Sequence, residues 1–171
     1  MEFRKLCLND EVKPIRSTDK DLNSFLIDDA KNFLKENIGI TYLFEDDCQT
    51  VAYCTILHDR ISLKESDKKL WNKLTKQLQT TRRSSYPAIK VGRLATSEAY
   101  EGLGYGRRLI NLVKMLYNRE KLIAGCRFIT VDAKNNPETL GFYQHLGFKF
   151  LTESDLFEET RTMAFDILSV E

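Results

Sequence analysis

Two histidines in 171 residues, four cysteines and a net charge of only +1 leave several function classes without material. Cys7, Cys48, Cys54 and Cys126 form no C-x-x-C pair, and only His58 and His145 could join them. The sequence therefore predicts no metal site. The start MEFRKLCLND carries no apolar leader, and no uninterrupted apolar run approaches the roughly 20 residues of a membrane span. Lone thiols without a signal segment point to a reducing cytoplasm and to no membrane partner. Nearly balanced charge removes any global reason to invoke nucleic acid, which only a local patch could then bind. Neither an internal repeat nor a low-complexity linker is visible, so one domain spanning 1–171 is expected.

What is present is a core and a clear change of period along the chain. A hydrophobic fraction of 42% is that of a folded globular protein. FRKLCL reads as a first short strand. Leu22, Phe25, Leu26, Ala30, Phe33 and Leu34 then recur at helical spacing, with Ser17 or Thr18 as the expected cap and Gly39 as the stop. ITYLFE and TVAYCTIL, joined by DDCQ, predict a β-hairpin. A helical basic insertion is expected at about 58–87, with Leu70, Trp71, Leu74 and Leu78 on one side and TTRRSSYP as a following loop. AIKVGRLAT predicts a strand, RRLINLVKMLYNREKLIAG a long helix ending at Gly125, and CRFITVDA a buried strand. NNPETLGFYQHLGF predicts a short helix with Pro137 in its first turn and Gly147 as its stop, before a closing pair of strands. The order is a mixed α/β (α+β) sheet in a single domain.

Glycine is scarce, yet four of the eight lie between Gly92 and Gly106, directly before Arg107 and Arg108. A nucleoside-triphosphate loop needs lysine and a hydroxyl after its last glycine, where this chain has two arginines. A dinucleotide fingerprint needs an acid about 20 residues on, where this chain has IAGCRF. What survives is a strand end, a bare backbone and a helix N-terminus that can face an anion. The plainer alternative is a flexible turn with two solvated arginines.

Two segments carry a resemblance. YEGLGYGRRLI resembles motif A of the GNAT acetyltransferases, and NNPETLGFYQHLGFKF resembles their second signature, with a helix and a strand between them. Glu101 stands where the family has Gln or Arg, and Thr139 where it has Ala. The resemblance implies a GNAT-like fold, a mostly antiparallel twisted sheet splayed at the cofactor site and flanked by helices. It also implies acetyl-CoA as co-substrate and direct acetyl transfer to a primary amine on a small molecule or macromolecule. Leu94, Ala95 and Thr96 would pair with the pantetheine arm, the Leu94 N–H facing the carbonyl oxygen. Glu101, Gly102, Leu103, Gly104, Tyr105 and Gly106, with Arg107, would hold the pyrophosphate. Asn136 would contact the cofactor, and Tyr143 would protonate the leaving sulfur, since a phenol titrates near about 10. No motif supports a general base among Glu98, Glu101 and Asp132, and His145 is expected at the surface or in packing.

VGRLATSEAYEGLGYG is also similar to a GNAT branch of toxins that acetylate aminoacyl-tRNA and are restrained by an antitoxin. Leu22, Phe25 and Leu26 match that branch, whereas PIRSTDKD replaces its usual Phe-x-Cys-Gly. On this reading Arg93, within the matching Gly92–Ala95, is a candidate for tRNA contact or for ordering the site, and Lys76, Arg82 and Arg83 are substrate candidates, because residues 64–90 hold eight basic residues against Glu65 and Asp67. A solvated basic face is the plainer alternative for that segment. tRNA, an antitoxin and a second copy of the chain are the macromolecular partners considered. A non-catalytic acetyl-CoA-binding or partner-binding domain is the rival class.

Overall fold

The structure, a computed structural model, describes residues 1–62, 64, 67–75, 83–117 and 124–169. Seven strands form one sheet: β1 (Glu2–Lys5), β2 (Gly39–Glu45), β3 (Thr50–Ser62), β4 (Ser85–Thr96), β5 (Phe128–Lys134), β6 (Lys149–Phe150) and β7 (Thr160–Asp166). Their order is β1-β2-β3-β4-β5-β7-β6. The described registers are antiparallel except β4 with β5, which runs parallel and pairs Ala88–Lys90 with Phe128–Thr130. The helices are α1 (Lys20–Ser24), α2 (Ala30–Lys35), α3 (Lys68–Thr75), α4 (Tyr105–Leu116) and α5 (Pro137–His145). The chain divides into two compact units, Met1–His58 with Val91–Leu116, and Asp59–Lys90 with Tyr117–Glu171.

In the first unit, Leu6, Ile15, Phe25, Leu26, Ala30, Leu43, Tyr53 and Ala95 form the core. A π-helical turn, Phe25–Asp29, joins α1 to α2, and its wider winding places Phe25 edge-on to Phe33 with ring centroids 5.0 Å apart. The helix cap is Asp19, not Ser17 or Thr18: its carboxylate accepts from the N–H groups of Asp21 and Leu22. Ser17 instead bonds Asn23 Oδ1 at 2.7 Å, a use of the hydroxyl that spacing did not reveal. The stop is Asn37, in the left-handed region at φ 57°, and Gly39 already begins β2.

Gly39 is needed for another reason. A Cβ there would meet Leu57 Cδ2 at 2.6 Å, and one at Gly92 would meet Leu57 Cδ1 at 2.8 Å. Both glycines make room for one leucine. Gly92 is thus a packing residue, distinct in role from the three glycines that follow it.

In the second unit, Trp71 and Leu74 of α3 pack with Ile61, Tyr86, Ala88, Phe128, Leu151 and Ala164. The expected loop TTRRSSYP is in its last residues a strand, because β4 starts at Ser85 and carries Pro87 within it. Proline keeps its carbonyl, and Pro87 O accepts from Arg127 N at 3.0 Å. α4 spans Tyr105–Leu116, and residues 118–123 of the longer helix expected up to Gly125 lie outside the described residues. Lys76, Leu78 and Arg82 lie outside the described residues. No helix among the described residues is long and apolar enough to cross a membrane.

Candidate active site

Motif A lies wholly in the first unit, and its shape follows from two turns. After β4, the Ser97 N–H donates to Val51 O and that of Glu98 to Arg16 O, both at 2.8 Å, which ends the strand against fixed neighbours. A 3-10 turn over Glu98–Tyr100 follows. Gly102 and Gly104 then adopt φ of 74° and 83°, a region that costs any residue with a Cβ about 1–2 kcal/mol. These two conformations turn the chain into α4.

The result is a row of unspent donors. Among the described residues, no acceptor in the chain takes the N–H of Gly102, Gly104, Tyr105, Gly106 or Arg107. The 3-10 turn engages the other two, with Glu101 N on Glu98 O at 3.2 Å and Leu103 N on Tyr100 O at 3.3 Å. A Cβ built at Gly102 or Gly104 meets nothing within 4 Å, so the backbone there is open to a ligand. The positive end of the α4 dipole adds to the field there, and Arg107 is exposed beside it. Such an arrangement can take a multiply charged anion. The Glu101 side chain is exposed.

Aromatic rings hold this turn from behind. Tyr105 meets Tyr100 edge-on at 5.8 Å and Phe44 at 5.7 Å, and the Arg108 guanidinium lies 5.0 Å from the Tyr105 ring centre. Arg108 is therefore a ring partner, which separates its role from that of Arg107. Tyr100 donates its hydroxyl to Asp46 Oδ2 at 2.6 Å. Asp46, Phe44 and Tyr100 were not among the expected site residues, and no local signal marks them, since Asp46 and Tyr100 meet only through the fold.

Leu94, Ala95 and Thr96 end β4 beyond the ladder with β5, which stops at Lys90; Ala95 is buried and the other two half-buried. Arg93 is exposed and lies 5.1 Å from the Phe25 ring centre, with Nη1 on Gly92 O at 2.8 Å.

The second signature lies in the second unit. Asn136 caps α5, its Oδ1 accepting from Thr139 N at 2.8 Å, which leaves its amide NH₂ for other partners. Tyr143 is 4% exposed and is held edge-on between Phe142 at 5.0 Å and Phe148 at 5.3 Å. Gly147, at φ 84°, ends the helix as its sequence position predicts. His145 is exposed and bonds Gly141 O through Nδ1 at 2.6 Å. Asp132 is ion-paired with Lys90, while Glu98 is exposed. Arg83 is exposed.

A family model described as the acetyltransferase (GNAT) domain matches residues 37–150. The chain belongs to the GNAT acetyltransferases. It is accordingly an acetyl-CoA-dependent N-acetyltransferase, with both signatures inside the matched span. Comparison with curated proteins gives no match.

Solved structures share the fold at low identity. A protein described as a bacterial toxin has a TM-score of 0.77 at 15% identity, covering 98% of this chain and 91% of that one. A tyrosine-to-phenylalanine mutant of the AtaT toxin, bound to the C-terminus of the antitoxin AtaR and acetyl-CoA, scores 0.71 at 20% identity over 99% and 95%. AtaT complexed with acetyl-methionyl-tRNAfMet scores 0.72 at 20% identity over 99% and 97%.

Proposed function

We propose that this GNAT enzyme moves the acetyl group of acetyl-CoA to a primary amine by direct attack, with the N-terminus of α4 as its pyrophosphate cradle and Tyr143 as general acid. The observation that carries the reading is the set of unspent N–H groups of Gly102 and of Gly104 to Arg107 at the start of a twelve-residue helix. Acetyl-CoA, when bound, supplies a thioester-activated acyl group. The donor set suits its pyrophosphate, since free backbone N–H groups, a helix dipole and an exposed arginine lie together at the start of α4, and a Cβ at Gly102 or Gly104 would meet nothing within 4 Å.

Each other role falls to a group of this chain. Leu94, Ala95 and Thr96, outside the β4–β5 ladder, offer backbone groups to the pantetheine amides. The Leu94 N–H serves the developing negative charge on the carbonyl oxygen. Tyr143 gives its proton to the departing sulfur, its ring held in place by Phe142 and Phe148. A single tyrosine-to-phenylalanine change in the AtaT structure with acetyl-CoA supports a special tyrosine in this fold. Asn136 offers the cofactor its amide NH₂.

The acceptor we infer is the amino group of an aminoacyl-tRNA. The AtaT complex with acetyl-methionyl-tRNAfMet supports it, as do Gly92–Ala95, Leu22, Phe25, Leu26 and the basic residues of segment 64–90. An antitoxin is the protein partner this reading adds, supported by the AtaT–AtaR structure. Acetyl-transfer assays over charged tRNA, polyamines, peptides and aminoglycosides, with products identified by mass, test the acceptor. Acetylated aminoacyl-tRNA as the main product is expected. Charge reversal of Lys76, Arg82 and Arg83 should then abolish tRNA acetylation while sparing acetyl-CoA binding; retained tRNA activity would remove that patch from the proposal.

A further inference from the structure

At the edge of the second unit, Leu70, Lys73 and Leu74 of α3 face Gln144, Phe148, Lys149 and Phe150 across a groove of about 220 Å³. Of these residues, Phe148 also packs against Tyr143, and Lys73 is one of the basic residues of segment 64–90. From the composition of this groove we propose that it is a docking surface for an extended, acidic segment of a partner protein bearing apolar side chains. The proposal goes beyond the acetyl-transfer reading and does not depend on which amine is acetylated.

Three features of the groove define the occupant. Its floor is aliphatic and aromatic, from Leu70, Leu74, Phe148 and Phe150, while Lys73 and Lys149 on its rim are exposed. That pairs apolar burial with a demand for carboxylates, and Lys68 and Lys69 on α3 extend the positive field. The volume is below the roughly 300–1,000 Å³ of a small-molecule pocket, so it suits a few side chains of a chain lying across it.

The third feature is the sheet edge. β6 is the last strand of the sheet, and among the described residues its only strand partner is β7. An edge with no further strand partner among the described residues, beside an apolar floor, is what strand addition uses: main-chain bonds give affinity and alternate side chains enter the groove. Beyond β6 the chain itself takes up the edge, with Asp67 N donating to Leu151 O at 3.1 Å, so strand addition is confined to Lys149 and Phe150.

A single-stranded nucleic acid fits less well. Base stacking needs open ring faces. Phe150 carries the Arg161 guanidinium 4.3 Å from its ring centre, and Phe148 is packed against Tyr143 and Phe165.

The test uses the full chain and a fluorescein-labelled ten-residue peptide of alternating Glu and Leu. Alternating Lys–Leu and Glu–Ser peptides and a ten-nucleotide oligoadenylate serve as comparators, all read by fluorescence anisotropy. The Glu–Leu peptide should bind, and the double variant Lys73→Glu, Lys149→Glu should weaken it by about tenfold or more. Amide NMR shifts on binding should centre on Gln144 and Phe148–Phe150. Both lysines are exposed, so the variant should keep its circular dichroism and its acetyl-CoA affinity. Equal binding of Glu–Leu and Lys–Leu peptides, shifts centred elsewhere, indifference to the charge reversal, or preference for the oligonucleotide would each overturn the proposal. Loss of acetyl-CoA binding in the unaltered chain would instead defeat the catalytic reading alone.

Discussion

The hydroxyl of Tyr100 donates to Asp46 Oδ2 at 2.6 Å and so ties the turn before the glycines to the β2–β3 hairpin. Asp46 also accepts from the N–H groups of Cys48 and Gln49, both at 2.7 Å. One carboxylate therefore shapes the hairpin turn and anchors the approach to the glycine turn that we propose as the pyrophosphate cradle.

Removing that tie should act on binding before it acts on folding. The Tyr100 hydroxyl first, and then the two N–H groups, hold the Asp46 carboxyl below its ordinary range. A depressed carboxylate contributes above its ordinary pKa, and its contribution is lost as pH falls through the lowered value. The tie is thus intact at neutral pH. Tyr100→Phe should weaken acetyl-CoA binding at pH 7, measured by calorimetry, with little change in Tm. Unchanged affinity would mean that the cradle holds its shape without Asp46.

Gly104→Ala separates backbone strain from steric conflict. Its φ of 83° is unfavourable for alanine, yet a Cβ there meets nothing within 4 Å. The cost should be about 1–2 kcal/mol, with each kcal/mol worth about 2–4 °C in a domain of this size. Gly39→Ala is the contrasting case, because its Cβ would press on Leu57 Cδ2 at 2.6 Å. Thermal melts should show both variants destabilised, but only Gly104→Ala should also lose acetyl-CoA affinity.

Tyr143→Phe removes one oxygen from a ring that Phe142 and Phe148 keep in position. Turnover should fall by about 10²–10⁴-fold while acetyl-CoA affinity holds, as expected when a general acid is lost. Steady-state kinetics beside calorimetry make the distinction, and wild-type turnover would refute the assignment.

Lys114, half-buried on α4, has its pKa lowered to about 8 by desolvation. Between that value and the ordinary 10.5, the unfolded chain holds a proton that the folded chain has released. Stability from this group should therefore rise as pH climbs from about 8 toward 10.5. Lys114→Met should raise Tm at pH 7 and flatten the alkaline pH dependence, as read by thermal melts. A lower Tm at pH 7 would show that the contacts of the ammonium outweigh its desolvation.

Local chemistry made much of this protein legible. The hairpin, the capped helix from Pro137 to His145 and the glycine turn into α4 each depend on residues close together in sequence. Asn136, Pro137 and Gly147 announce α5 because a cap, a missing N–H and a left-handed stop are local demands. The same locality made both GNAT signatures readable.

The misreadings fall where a second group competed for a residue. Asp19 rather than Ser17 caps α1 because the Ser17 hydroxyl is committed to Asn23. Pro87 lies inside a strand because a neighbouring strand end needs only its carbonyl. The amino-acid sequence by itself determined the family, the bare backbone at Gly102 and Gly104, and the tyrosine of α5. Tertiary structure alone decided that Gly92 makes room for Leu57 and that Asp46 anchors Tyr100. Turns and caps are specified by neighbours along the chain, whereas these two contacts join residues that only the folded sheet brings within reach.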